Sequence, residues 1–168
     1  SLSFNYSTLS MSDLCGATGS FTATFTATDA CGNESTTSAT FTIEDTTNPT
    51  ALAKDHTVTL DASGNGTMVV GDIDNGSSDA CSTVTLAASQ TSFTCADLGP
   101  NTITLTVTDE CNNESTATAT VTVVDNTAPT ITAAAADATY ECDGTDSSTQ
   151  FANWLSSNGG ATAVDACG

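Results

Sequence analysis

Residues 26–50 read TATDACGNESTTSATFTIEDTTNPT, and residues 106–130 read TVTDECNNESTATATVTVVDNTAPT. The two stretches align at a constant offset of 80 residues. In each, apolar residues alternate with threonine, an acidic turn follows, the alternation resumes, and an acidic exit ends in proline. Alternation with period two puts the apolar side chains on one face, the pattern of a half-buried strand. Asp, Gly and Asn between two such runs supply the conformations of a tight reversal. Each copy is therefore a β-hairpin followed by a linker, and the chain is an internal repeat.

Working outward, Leu2, Phe4 and Tyr6 alternate as a short strand, and Phe21, Ala23, Phe25 and Ala27 form the first strand of the hairpin. Its return, 37–44, points Ala39, Phe41 and Ile43 inward. Between the copies, Val58 and Leu60, residues 68–70, and Val84 and Leu86 mark three strands, with Phe93 and Cys95 in a short return. Ile103, Leu105 and Val107 match the strand at 21–27, and Val121 and Val123 match Phe41 and Ile43. After the second copy, 137–143 (DATYECD) matches 55–61 (DHTVTLD), and Asp165-Ala166-Cys167 repeats Asp79-Ala80-Cys81. Residues 150–157 read as one helical turn or a strand.

Short strands with regular turn signals predict an all-β fold of tandem immunoglobulin-like antiparallel sandwiches. Residues 50–129 make one complete module, 1–49 the C-terminal half of another, and 130–168 an N-terminal half. Cys81 precedes Cys95 by 14 residues, and if Gly168 ran into Ser1 of another copy, Cys167 would precede Cys15 by 16. The expectation is one period of a longer array, with 130–168 completed by 1–49 of an adjacent copy.

Twenty acids stand against one lysine, Lys54, and no arginine, for a net charge of −19. A nucleic-acid surface needs basic residues to displace counterions, so that class is excluded. The same imbalance argues against binding to anionic membranes, and no apolar run is long enough for membrane insertion. Bound cations would relieve the self-repulsion. Seven cysteines in a small Thr- and Ser-rich chain imply an oxidising compartment, extracellular or at the cell surface. Catalysis finds no support. His56 is the sole histidine, and nothing places two carboxylates across a cleft. Trp154 reads as core, and the outward Thr rows as ordinary strand composition.

The motifs TATDACGN (26–33), EDTTNPT (44–50), DIDNGSSDACS (72–82), SFTCADLG (92–99), TVTDECNN (106–113), VVDNTAPT (123–130), TYECDG (139–144) and FANWLSSNGGATAVDACG (151–168) span almost the whole chain. Together they resemble the HYR/PKD-like immunoglobulin-type repeats of large secreted surface proteins of Bacteroidetes. The resemblance implies the stalk of an adhesin, a gliding-type surface filament or a related fibre. Cys111 departs from it, standing where such a module has a different residue and leaving an odd thiol count.

Cys15 and Cys31 flank one strand, which at ~3.3 Å per residue separates them by roughly 30 Å, beyond the reach of a disulfide. The same holds for Cys95 and Cys111. The main expected pair is Cys81–Cys95, closing a hairpin-like return. By equivalence Cys167 pairs with Cys15, and Cys142 with Cys31, of the next copy, leaving Cys111 unpaired. If the first strand runs straight to the far end of its domain, Cys142–Cys15, Cys167–Cys31 and Cys81–Cys111 replace them.

In an immunoglobulin-type sandwich the linker from the preceding module meets the loop before the third strand and the last hairpin turn. Glu44 and Asp45 are therefore expected near Asp72, Asp74, Asp79 and Asp109. Asp125 is expected near Asp165 and near Asp29 and Asn33 of the next copy. Carboxylates, amides and carbonyls are hard oxygen ligands that suit Ca²⁺, in the manner of cadherin linkers. The alternative is that these acids only form turns. The functional expectation is a non-enzymatic structural repeat whose partners are neighbouring copies of itself. The alternatives are a glycan- or ligand-binding module and a spacer of a large secreted enzyme.

Overall fold

The computed structural model describes residues 2–4, 12–13, 15–141 and 147–168. Among the described residues the fold is mostly β, with one short α-helix. A first sheet holds β1 (Leu2–Phe4), β2 (Ser12–Asp13), β3 (Gly19–Thr28) and β4 (Glu34–Ile43), with β3 paired to the other three. A second has the order β5 (His56–Thr59), β10 (Glu114–Val124), β9 (Gly99–Asp109) and β7 (Val84–Ala88). Two small antiparallel pairs complete the set. One is β6 (Asn65–Thr67) with β8 (Ser92–Thr94), the other β11 (Thr130–Ala133) with β12 (Thr162–Val164). Residues 150–157, read as one helical turn or a strand, fall mostly in a ten-residue helix, α1, Ser147–Ser156.

The chain divides into two compact units. The first comprises Ser1–His56, Val69–Thr91 and Thr102–Thr120, and the second Thr57–Met68, Ser92–Asn101 and Val121–Gly168. Each combines part of 50–129 with one flanking segment, and β9 and β10 contribute to both.

The two hairpins form as their sequences dictate. In the β3–β4 ladder Phe21 faces Phe41, Ala23 faces Ala39, and Gly19 faces Ile43, so the apolar residues share one face. Thr22 and Thr40 lie on the other face, hydroxyls 2.9 Å apart. In β9–β10 the apolar face is core: Ile103, Leu105, Val107, Ala119, Val121 and Val123 are all buried. Val58, Leu60, Met68, Ile73 and Phe93 are the other buried apolar residues of this central segment.

The inward expectation for β4 is corrected by the structure. Phe41 is 64% exposed and Ile43 40%, and Ala39 is exposed as well. Their counterparts Val121, Val123 and Ala119 are at most 3% exposed. The alternation places these residues on a common face, but a face is buried only where a second layer covers it, and the same strand pattern here occurs with and without one.

Burial therefore separates two sites that the sequence makes alike. Leu105→Ala is expected to cost about 2–5 kcal/mol, whereas Phe41→Ala should stay within about 0.5 kcal/mol. Urea unfolding of the dilute protein measures both, and equal losses would contradict the burial difference.

Candidate functional site

Two clusters stand out, one in each unit, and they are the same cluster by repeat position. Asp45, Asp79 and Cys81 bring ligand atoms within 4.8 Å of one another, as do Asp125, Asp165 and Cys167. Each forms where the acidic exit of a hairpin meets the loop that carries the Asp-Ala-Cys motif. The exit is held to that loop by backbone pairing, Thr50 with Ser78 in the first joint and Thr130 with Val164 in the second.

The local geometry repeats in detail. Asp45 Oδ1 accepts the N–H of Thr47 at 3.0 Å, and Asp125 Oδ1 that of Thr127 at 2.9 Å. Asp79 accepts the N–H of Cys81 at 2.7 Å, and Asp165 that of Cys167 at 2.8 Å. These are Asx turns, in which a short carboxylate satisfies a backbone donor two residues on. The hairpin tips match as closely. Asp29 accepts the backbone N–H of Asn33 at 2.8 Å and its side-chain amide at 2.7 Å, and Asp109 accepts the same two donors from Asn113 at the same distances.

In the first joint the three parts meet. The side-chain amide of Asn113 donates to both Asp109 and the backbone carbonyl of Asp45, the latter at 3.2 Å, tying hairpin tip to linker. Asp45 Oδ2 is buried and has no hydrogen-bond partner. The Asp45 carboxylate beside Cys81, with burial and with Asp79 and Asp109, pushes the Cys81 thiol up. Backbone N–H groups, that of Cys81 first, hold Asp79 below its ordinary value of 3.8. The cluster thus sets carboxylate oxygens beside a thiol whose ionisation is disfavoured, a hard oxygen set rather than a thiolate one. In the second joint Cys167 is in a disulfide and offers no thiolate, and a cleft of about 500 Å³ lies over Asp125, Asp165 and Val164.

Other predicted ligands are used elsewhere. Asp72 caps the N–H of Val69 at 2.8 Å and lies 3.9 Å from His56 Nε2. Asp74 accepts from the Gly76 and Ser77 backbones, and Ser77, through its side chain first, lowers its pKa. Glu44 is exposed. Asp109 serves the hairpin tip and reaches the cluster through Asn113 and through its effect on Cys81. Asp29 and Asn33 close their own exposed turn.

The disulfides differ from the expected pairing. Cys15 bonds Cys111, with Cα atoms 5.2 Å apart, and Cys95 bonds Cys167 at 5.1 Å. Cys31 and Cys81 are free and exposed, and Cys142 lies outside the described residues. Cys81 and Cys95 fall in different units, with the extended β7 between them. Cys111, expected unpaired, sits at the β9–β10 tip, where a turn at 15–18 docks. Glu110 accepts the N–H of Gly16 at 3.0 Å and the hydroxyl of Thr83 at 2.6 Å, and Ala17 donates to the Cys81 carbonyl. The role of Glu110 escapes sequence reasoning. Its one visible sign is that it replaces Ala30 of the first copy, beside the anomalous Cys111.

No protein-family model matches the chain, and no curated protein matches it.

Two measurements check this geometry. Native alkylation should modify Cys31 and Cys81 and spare Cys15, Cys95, Cys111 and Cys167, with Cys81 slower because its thiolate is disfavoured. Asp79 has a depressed pKa, so its stabilisation is complete above 3.8 and is lost as pH falls through the folded value below it. The stability gap between wild type and Asp79→Asn should be open at pH 7 and close below pH 3.8, as read from thermal melts across pH.

Proposed function

We propose that the chain is a structural repeat of an extracellular bacterial surface fibre or adhesin stalk, of the HYR/PKD-like immunoglobulin type. Tandem antiparallel sandwiches join end to end, disulfides lock them, and Ca²⁺ at the linkers stiffens the joints. The observation that carries this reading is the joint itself, built twice from equivalent residues with the same Asx turns and the same backbone pairing. A binding or catalytic site has no need to recur at each linker, whereas a load-bearing connection in an array does.

The donor set fits calcium. Asp45 Oδ2 is buried without a partner, which is costly for a carboxylate oxygen unless a cation or donor meets it. A carboxylate oxygen of Asp79 lies within 4.8 Å of one of Asp45, and Asn113 donates to the Asp45 carbonyl. When bound, Ca²⁺ would neutralise the carboxylates and cross-link linker to loop. The protein's own residues supply the rest: Asx turns fix the carboxylates, and Asn113 positions the linker. The oxidising compartment implied by two disulfides suits a surface location, where calcium is abundant.

Calcium in about hundredfold excess over Kd should stabilise the protein by about 2.7 kcal/mol per site. Thermal melts in CaCl₂ and in EDTA measure this, and Asp45→Asn should remove the first site's share. Identical melting temperatures in the two buffers would sink the calcium assignment. The fibre assignment is tested separately by micrographs of the native particle, which should show a filament.

A further inference from the structure

Three cysteines meet in the first unit, and two of them are already joined. Cys15 lies in the turn at 15–18, Cys111 at the β9–β10 tip, and Cys81 in the loop before β7. Thr18 fixes the turn about its sulfur. It is buried, and its hydroxyl donates to the Cys15 carbonyl at 2.6 Å, accepts the Cys15 N–H at 3.1 Å and lies 3.2 Å from Cys15 Sγ.

One side of the turn rests on the hairpin tip, where Cys15 is bonded to Cys111 and Gly16 donates its N–H to Glu110 at 3.0 Å. The other side rests on the loop that carries Cys81. Ala17 donates its N–H to the Cys81 carbonyl at 3.1 Å. A methyl group at Gly16 would come within 2.7 Å of that same oxygen and 2.6 Å of Ser82 Cβ, so the two backbones are in contact. Tip and loop are joined as well, since Thr83 donates its hydroxyl to Glu110 at 2.6 Å. Cys81 itself is a free, exposed thiol.

The second unit shows the other pairing. Cys95 stands 80 residues after Cys15, and Cys167 ends the second Asp-Ala-Cys motif as Cys81 ends the first. Cys95 and Cys167 are bonded to each other. The counterpart bond in the first unit joins Cys15 to Cys81. The two loops hold their cysteines alike. Asp79 and Asp165 accept the N–H of the cysteine two residues on, at 2.7 and 2.8 Å, and each cysteine sulfur lies within 4.8 Å of ligand oxygens of the equivalent carboxylate pair.

We propose that Cys81 is a resolving thiol for the Cys15–Cys111 bond, so that the first joint interconverts between Cys15–Cys111 and Cys15–Cys81 disulfides. Cys81 attacks Cys15 Sγ as the thiolate. The Cys15–Cys81 bond forms while the Cys15–Cys111 bond breaks, and the electron pair leaves on the Cys111 sulfur. Cys111 then takes up, through solvent, the proton that Cys81 released. One disulfide and one thiol are present before and after, so the step needs no oxidant or reductant. It moves the covalent clamp on the turn from the hairpin tip to the acidic loop, and it frees the thiol at the tip. The exchange depends on neither calcium nor a neighbouring copy.

Differential alkylation tests the exchange. A Cys31→Ser, Cys142→Ser background leaves the two disulfides and a single thiol, Cys81. Samples are held in mildly alkaline buffer without added thiol, quenched in acid and alkylated. They are then reduced and alkylated with a heavy-isotope reagent, and peptide mass spectrometry reads which cysteine was free. The label should begin on Cys81 and move in part to Cys111, with the total unchanged, none on Cys15, and a rate independent of protein concentration. Label that stays on Cys81 would overturn the proposal, as would label on Cys15 in place of Cys111 or a rate that rises with concentration. Adding Cys81→Ser removes the nucleophile and should leave Cys111 unlabelled; label on Cys111 in that chain would show that another route opens the bond. Adding Cys111→Ser instead should yield a Cys15–Cys81 bond when the protein is made in an oxidising compartment. Cys15 and Cys81 both found as thiols, in a chain whose circular dichroism matches wild type, would contradict the proposed geometry.

Discussion

Capture of backbone N–H groups by short carboxylates is the interaction on which the architecture depends. Asp29 and Asp109 close the two long hairpins, Asp61 closes the turn before β6, and Asp45, Asp79, Asp125 and Asp165 set the linkers and loops. Each places an acceptor where the chain leaves a strand and its donors lose their ladder partners. Much of the acidic excess is thereby structural. It also gathers acidic groups where linker and loop meet.

The core follows from a different constraint. An apolar strand face is buried only where another segment covers it, and the two copies of the hairpin show both cases. Leu105 and Val107 are fully buried in β9, while Phe41 on the matching face of β4 stands mostly in water. The residue types differ little in hydrophobicity. What differs is the presence of a covering segment. The covalent clamps act at the periphery of this scheme, Cys15–Cys111 fastening a turn to a hairpin tip and Cys95–Cys167 fastening the last loop beside the helix-like turn after β8. Each contributes about 2–4 kcal/mol, a large fraction of the stability of a small domain.

The strands and turns were legible because their signals are local. Alternation located β3, β4, β9 and β10, and Asp with Gly or Asn located the hairpin tips. The convergence of Asp45 with Asp79, and of Asp125 with Asp165, followed from matching the repeats against a sandwich topology. The disulfides were not legible, because pairing depends on which loop docks on which hairpin. Glu110 receives the Gly16 N–H across a separation of 94 residues, and nothing in the spacing of Cys15 and Cys111 announces that contact. The burial of β4 was misread for the related reason that a face does not encode its cover. Asp72 and Asp74 entered the metal set through the same topology argument, but their carboxylates cap Val69 and the 76–77 turn and the cluster forms at Asp45, Asp79 and Cys81.

The role proposed for the chain turns on the repeated acidic cluster. The most direct measurement is a crystal structure of the 168-residue chain grown with CaCl₂. One ion is expected at Asp45 and Asp79, and another at Asp125 and Asp165. Clusters that both stay empty at saturating calcium would contradict that role.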